Sequence, residues 1–146
     1  MSRSTLTNRE SGRIVIDTLC HMGVRHYFMS PGARSSPLIA ALAETNDITV
    51  TVHYDERGMS FAALGHAMAT GLPSVCITTS GSAVANLLPA CVEASHSGVP
   101  VFFTADRPPE LRGTGANQTI LQPGIFGTFA RLSNDLPCPD DPSTSK

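Results

Sequence analysis

The sequence lacks a marked excess of either charge. Ten Lys and Arg residues stand against 12 Asp and Glu residues, the formal net charge is −2, and the basic residues are scattered. A nucleic-acid-binding domain carries a basic patch or stripe, so we expect no nucleic-acid partner. No apolar run approaches the roughly 20 residues that a transmembrane helix needs. The N-terminus also lacks the apolar core of a signal peptide. We therefore expect a cytoplasmic protein with no membrane span.

The sequence also lacks the spacing of a metal site. Its four cysteines lie far apart, and no two of its five histidines form a metal-ligand pair such as that of the zinc proteases. Cys76 falls in a predicted strand and Cys91 in a predicted helix, so we interpret both as small core residues. We expect no metal ion to be held by the residues of this segment alone.

What the sequence does contain is a regular alternation of strand and helix patterns. With 146 residues, 41% of them hydrophobic and 15% charged, the chain fits one globular domain. Apolar spacing predicts helices at 10–22, 37–43, 59–70 and 83–95, and strands at 24–29, 48–54, 74–79 and 99–105. Pro89 should kink the fourth helix or mark a boundary in it. The alternation predicts an α/β fold, a doubly wound parallel sheet with helices on both faces.

Unusual loops follow all four predicted strands. These loops read SPGARSSP, DERG, TTSGSA and ADRPPEL, whereas the segments that enter the strands are plain. In an open parallel sheet, ligands bind outside the carboxyl ends of the strands. The concentration of Gly, Pro, Arg and acidic residues at one edge therefore predicts a binding site there.

Each loop also has a plainer interpretation. Arg34 could bind an anion at a helix start or belong to a tight turn, and its loop lacks the Lys of a phosphate-binding Walker motif. Glu56 could be held in a cleft or lie in a solvated turn before the helix. Ser82 is expected to cap a helix, and its surroundings lack the first Gly of a nucleophile elbow. Arg107 could pair with Asp106 or join Arg34 in a clamp for carboxylates beneath a Gly-rich lid.

Taken together, the motifs resemble one family. The strings SPGARSSPL, HYDERG, TSGSAVANLLPA, TADRPPELRGTGANQTI and QPGIFG are similar to the N-terminal pyrimidine-binding domain of the SEPHCHC synthases, thiamine-diphosphate-dependent enzymes of menaquinone biosynthesis. DERG and TSGSAVAN occur loosely across thiamine-diphosphate enzymes, whereas ADRPPEL and GANQTI point to this family. The resemblance runs from about Ser11 to the C-terminal end. It implies a transferase that decarboxylates 2-oxoglutarate on thiamine diphosphate and adds the succinyl unit to isochorismate.

The resemblance also implies roles for particular residues. Glu56 matches the catalytic glutamate, which hydrogen-bonds a ring nitrogen of the cofactor's aminopyrimidine and should lie in an apolar, water-poor pocket. Further cofactor contacts are expected at Pro31, Ser80, Gly81 and Asn86. Substrate contacts are expected at Arg34, Ser35, Arg107, Asn117 and Gln118. Ala33 departs from the family pattern, because relatives can have Ser there.

The Gly-Asp-Gly motif of the family is absent from this chain. In the family, that motif lies in a second domain, which holds the diphosphate through Mg²⁺ or Mn²⁺, and the active site forms between subunits. The resemblance therefore implies a homo-oligomer, dimer or tetramer, and an inactive isolated segment. Residues 1–146 would be an incomplete pyrimidine-binding domain, truncated at its C-terminus, with 128–146 beginning its remaining sheet and helix elements. The alternatives are another thiamine-diphosphate carboligase or decarboxylase, similar to acetolactate synthase, and a non-catalytic binding or assembly module.

Overall fold

The fold is built on a parallel sheet of four strands. The computed structural model describes residues 7–98 and 101–138, and the strands in it are β1 His26–Ser30, β2 Thr49–Val52, β3 Ser74–Thr78 and β4 Val101–Thr104. Their order across the sheet is β2-β1-β3-β4, and every neighbouring pair is parallel. β2 lies on one side of β1, whereas β3 and β4 lie on the other, so the strand order reverses between β1 and β3. Open α/β sheets bind ligands at such a reversal.

Within residues 7–98 and 101–138, five α-helices pack on the two faces of this sheet. They are α1 Asn8–His21, α2 Ser36–Ala43, α3 Glu56–Thr70, α4 Ser82–Ala85 and α5 Leu88–Ser97, with short 3-10 helices at Ala33–Ser35, Pro109–Leu111 and Gly127–Phe129. α1 begins at a capping box in which Thr7 and Glu10 bond each other's backbone N–H groups.

The core has two halves, one on each face of the sheet. On the first face, α1 and α2 pack against β1 and β3 through Ile16, Leu19, Ala41, Leu42, Tyr27, Val75 and Ile77. On the second face, α3 and the start of α5 pack through Met59, Ala63, Leu87, Phe28 and Cys76. Helices on both faces confirm the predicted doubly wound α/β fold.

Several predicted helix bounds differ from the observed ones, and at two helices the physical reason is visible. The helix predicted at 59–70 begins at Glu56, because the Asp55 carboxylate accepts hydrogen bonds from the backbone N–H groups of Arg57 and Gly58, at 3.3 and 3.0 Å. The helix predicted at 83–95 is divided into α4 and α5, which confirms the predicted boundary at Pro89. This residue lies in the first turn of α5, where a proline costs no backbone hydrogen bond.

The strand predicted at 48–54 is shorter and less buried than its alternating pattern suggests. β2 contains only four residues, all of them are exposed, and it is one of the two edge strands of the described sheet. Residues 99–100, which belong to the predicted fourth strand, lie outside the described residues, as do 139–146. Residues 130–138 are irregular.

The remaining predictions concern the core and membranes. Cys76 and Cys91 are both buried, as predicted, and burial raises the pKa of the Cys76 thiol to about 12. Across the described ranges, the structure contains no helix that combines the length and apolar character needed to cross a bilayer.

Candidate functional site

The loops after β1 and β3 touch each other at the edge where the strands end. A methyl group added to Gly32 would lie 2.5 Å from Cβ of Thr79, so only glycine fits between them. The Ser35 hydroxyl is fully buried and donates to the Gly32 carbonyl at 2.9 Å, while the Gly32 N–H donates to that hydroxyl at 3.1 Å. The Ser35 side chain therefore shapes the loop, and Pro31 lies exposed beside it.

Glu56 occupies the first turn of α3 and faces two other strand exits. Its Oε1 accepts a hydrogen bond from the Ser30 hydroxyl at 3.3 Å, and its Oε2 accepts one from Asn86 Nδ2 at 3.4 Å. Both contacts are long, so neither oxygen is fully engaged. Around Glu56 this chain supplies polar contacts and leaves the side chain half-buried, in place of the expected apolar pocket.

The two arginines singled out from sequence contact neighbouring residues of the Gly-rich segment. Arg34 Nη1 donates to Oε1 of Gln118. The Arg107 guanidinium donates to the Asn117 carbonyl through Nε at 3.1 Å and Nη2 at 2.8 Å. The alternative pairing of Arg107 with Asp106 is wrong, because the Asp106 carboxylate is taken by a different arginine.

That arginine, Arg112, is a residue that the sequence did not single out. It forms ion pairs with Asp106 at 3.0 Å and with Asp135 at 2.7 Å. Hydrogen bonding to Asp135 raises the pKa of its guanidinium, and the charges of both carboxylates add to the effect. Arg112 lies in the quoted string TADRPPELRGTGANQTI, but its partners could not be predicted, since the two acids lie 6 and 23 positions away in sequence.

The loop after β3 holds the same segment from the other side. The Ser80 hydroxyl donates to the Gln118 carbonyl at 2.9 Å. A methyl group on Gly81, whose φ is +83°, would lie 3.1 Å from the Gln118 backbone. The prediction that Ser82 caps α4 is wrong: Gly81 is the capping residue, and Ser82 is the exposed first residue of the helix.

A second residue missed from sequence is Gln122, whose side chain is buried and bonded to both the β3 and β4 exits. It lies in an irregular segment, where no periodic pattern distinguishes a buried polar residue from an exposed one. Two further buried hydroxyls, those of Thr78 and Thr79, have no hydrogen-bond partner among the described residues.

A cavity of about 1140 Å³ opens between this edge and residues 122–138. Arg34 and Arg107 line it, together with Arg112 and Gln122, but Glu56 does not. The cavity and the Glu56 carboxylate are thus separate features of one edge. Among the residues that the structure describes, no three His, Cys, Asp or Glu side chains are grouped to hold a metal ion.

Comparison with known families decides what this edge belongs to. Residues 9–125 match the family described as "Thiamine pyrophosphate enzyme, N-terminal TPP binding domain". The chain belongs to this family. Thiamine pyrophosphate is the same compound as thiamine diphosphate, so the family assignment agrees with the resemblance seen in the motifs.

Individual relatives of this thiamine pyrophosphate enzyme domain carry a more specific name. The chain is 57% identical over 141 residues to the 2-succinyl-5-enolpyruvyl-6-hydroxy-3-cyclohexene-1-carboxylate synthase of Rubrobacter xylanophilus, a match that covers 94% of this chain and 25% of that protein. Synthases of the same name from Salinibacter ruber and an Arthrobacter species are 52% and 49% identical, over 88% and 94% of this chain and 22% and 24% of those proteins. The chain spans about a quarter of the length of the curated relatives that it matches.

The residues at this edge fit the aminopyrimidine half of the family's cofactor. Glu56 has two loosely engaged oxygens that can face a ring nitrogen. Thr78 on β3 is paired with Ser30 on β1, and the Ser30 hydroxyl donates to Glu56. The Thr78 hydroxyl has no hydrogen-bond partner among the described residues. Buried hydroxyls without partners are costly, so they mark a place where a polar ligand group would be stabilised.

Proposed function

We propose that this chain is the pyrimidine-binding domain of a SEPHCHC synthase. The complete protein would decarboxylate 2-oxoglutarate on thiamine diphosphate, with Mg²⁺ or Mn²⁺, and add the succinyl unit to isochorismate. One observation carries the proposal. Glu56, which is bonded to Ser30 and Asn86, lies at the same sheet edge as the Arg34 and Arg107 guanidinium groups, which are bonded to residues 117–118. The names of the relatives support the choice of reaction.

Glu56 would hold and move a proton at the cofactor. Thiamine diphosphate, when bound, supplies the electron sink that makes loss of carbon dioxide from a 2-oxo acid possible. Glu56 would share a proton with a ring nitrogen through one carboxylate oxygen, and the long hydrogen bonds from Ser30 and Asn86 would orient that carboxylate. The chain's own contacts orient the acid without neutralising it, because neither of these partners is charged. Ser80 and Gly81 line the neighbouring strand exit.

Arg34 and Arg107 would bind the acceptor. A guanidinium group forms paired hydrogen bonds with a carboxylate, and isochorismate offers carboxylate and hydroxyl groups. The Asn117 and Gln118 side chains add amide groups for the hydroxyls. Because Arg34 donates to the Gln118 side chain and Arg107 to the Asn117 carbonyl, the acceptor would find both cations already oriented.

A homo-oligomer is supported by the outer side of α3, here called the α3 face. It consists of Phe61, Gly65 and Met68, which are spaced by four and three residues and so lie on one side of the helix, and of Leu72, which follows the C-cap Gly71 beyond the helix end. Phe61, Met68 and Leu72 are 43, 59 and 52% exposed. Residues 58–70 contain no Asp, Glu, Lys or Arg, so this side lacks the charges of a solvated helix. We assign the α3 face to contact with another subunit, in a dimer or tetramer, whose diphosphate-binding domain completes the site.

The test uses the complete protein with isochorismate, 2-oxoglutarate, thiamine diphosphate and Mg²⁺. We expect release of carbon dioxide that depends on both substrates, and a loss of kcat of about 10²–10⁴-fold in a Glu56→Gln variant, which keeps the size of the side chain but cannot share the proton. Residues 1–146 alone should give no turnover. Two results would favour the alternatives: joining of two pyruvates without use of isochorismate, or full activity of Glu56→Gln.

A further inference from the structure

Gln122 is a buried polar residue with no part in the mechanism above. Only 7% of it is exposed, although it lies in an irregular segment at the surface. Its Nε2 donates to the Ala105 carbonyl at 2.8 Å and to the Thr104 hydroxyl at 3.1 Å, and its Oε1 accepts from the Gly81 N–H at 3.3 Å. Both halves of the amide are therefore occupied, which is the condition under which an amide can be buried.

These partners belong to two different strand exits. Gly81 lies in the loop after β3, and Thr104 and Ala105 end β4 and begin its exit loop. Asp106 and Arg107 follow directly, and the Asp106 carboxylate accepts the Arg107 N–H at 2.7 Å. One side chain thus joins the loop after β3, the loop that carries Arg107, and the segment that contains Gln118.

The backbone of Gln118 shows why such a connection is needed. Its φ is +55°, in the left-handed region that side-chain-bearing residues rarely occupy. Ser80 bonds its carbonyl, and Gly81 leaves room for its backbone. An unfavourable backbone conformation persists only where the surrounding contacts impose it, and the loop that imposes this one is held by Gln122.

We propose that Gln122 is a positioning residue for binding of the acceptor carboxylates. Its amide fixes the two exit loops against residues 117–122, and that arrangement holds the Arg34 and Arg107 guanidinium groups in the orientation that a dicarboxylate requires. The identity of the acceptor rests on the proposed function. A merely structural role would instead lower stability and affect both substrates alike.

The first test compares variants of the complete protein. Gln122→Met has a side chain of similar length without the amide, and Leu121→Ala is the matched control, because Leu121 is the neighbouring residue and is 77% exposed. We expect Gln122→Met to raise the KM for isochorismate about 10- to 100-fold, with kcat and the KM for 2-oxoglutarate changed less than about twofold. Leu121→Ala should leave all three unchanged.

A second variant gives a readout that packing alone would not produce. In Gln122→Glu, an ionised carboxylate can accept from Gly81 but faces the Ala105 carbonyl without a hydrogen to donate. The protonated acid regains that donor. The KM of Gln122→Glu for isochorismate should therefore fall toward the wild-type value as the pH is lowered, and the ratio of the two KM values should be largest at high pH. A ratio independent of pH would contradict the proposed bond to Ala105.

The third measurement does not depend on turnover. Amide hydrogen exchange of residues 113–121 and Gly81 should be faster in Gln122→Met than in the wild type, and unchanged in Leu121→Ala. Unchanged exchange together with an unchanged KM overturns the proposal, and so does a parallel loss of kcat and of affinity for both substrates. If the wild-type protein does not use isochorismate, the proposed function fails, and hydrogen exchange alone decides whether Gln122 holds the segment.

Discussion

A glycine in the middle of the α3 face gives a sharp test of the oligomer. Gly65 lies in the interior of α3, and a methyl group added there would meet no atom of the described chain within 4 Å apart from its two chain neighbours and the backbone of its own helix. Glycine in a helix interior costs about 1 kcal/mol relative to alanine. Gly65→Ala should therefore raise the free energy of unfolding of the 146-residue chain by about 1 kcal/mol, which corresponds to about 3 °C in Tm for a chain of this size.

Gly12 in α1 is the matched control, because the same substitution there should have the opposite sign. A methyl group on Gly12 would lie 2.6 Å from the Pro37 carbonyl oxygen and 3.2 Å from the Leu38 nitrogen, both backbone atoms of α2. Gly12→Ala gains the same helix propensity of about 1 kcal/mol but forces α1 and α2 apart, which costs about 1–3 kcal/mol. Urea unfolding of the two variants should give a net destabilisation at Gly12 of up to about 2 kcal/mol.

In the complete protein, Gly65→Ala should weaken the association of subunits, although it stabilises the single chain. If the α3 face packs against another subunit, the added methyl group falls in the contact and raises the dissociation constant of the oligomer by about tenfold or more, as measured by analytical ultracentrifugation. If Gly65→Ala lowered the free energy of unfolding of the single chain, the space around Gly65 would not be open. An oligomer of unchanged affinity would refute the use of the α3 face as the contact.

Two further predictions concern buried charged and titratable groups. Burial, followed by the charge of His26 stacked at 4.1 Å, lowers the pKa of His66, so the unfolded chain takes up a proton that the native ring resists. The free energy of unfolding in urea should therefore decrease as the pH falls below 6.5, and it should decrease less steeply in His66→Gln than in the wild type. An equal dependence on pH in the two proteins would contradict this prediction. Arg112→Lys replaces the guanidinium fork, which reaches Asp106 through Nε and Asp135 through Nη1 and Nη2, by a single nitrogen. It should therefore cost about 1 kcal/mol of stability and speed proteolysis within 112–138, whereas unchanged proteolysis would show that the ion pairs do not hold that segment.

The sequence predicted the architecture because its signals are periodic or local. Buried strands such as β3 appear as contiguous apolar residues, and each helix has a stop or start signal in Gly, Pro or a capping acid. The same reasoning placed the start of α3 three residues late, because the capping role of Asp55 depends on a side-chain orientation that residue types do not reveal. The exposure of β2 was missed for a different reason, since an alternating pattern does not tell an edge strand from one with a covered face.

The candidate site was predicted as a set of loops but not as a set of contacts. Loop composition at the strand exits pointed to Arg34, Glu56 and Arg107, because Gly, Pro and charged residues cluster where each strand ends. The partners that orient these residues are spread through the chain: Asn86 is 30 positions from Glu56, and Gln118 is 84 positions from Arg34. Gln122 and Arg112 act through contacts of this kind. Both lie in the quoted strings QPGIFG and TADRPPELRGTGANQTI, but a string does not show which distant groups a side chain contacts.

The half-buried state of Glu56 is itself an argument about where the rest of the site must lie. Sharing a proton with a ring nitrogen requires a water-poor environment, and this chain surrounds the acid with only two long polar contacts. A further wall is therefore needed. Glu56 begins α3 but lies nine positions before Gly65, about half a turn away from the α3 face, and its carboxylate faces Ser30 and Asn86. A subunit docked on the α3 face would therefore cover Glu56 only by also reaching around the first turn of the helix, and assembly and exclusion of water would then be one event. If that is correct, Gly65→Ala should lower activity in proportion to the loss of oligomer, and raising the protein concentration should restore activity.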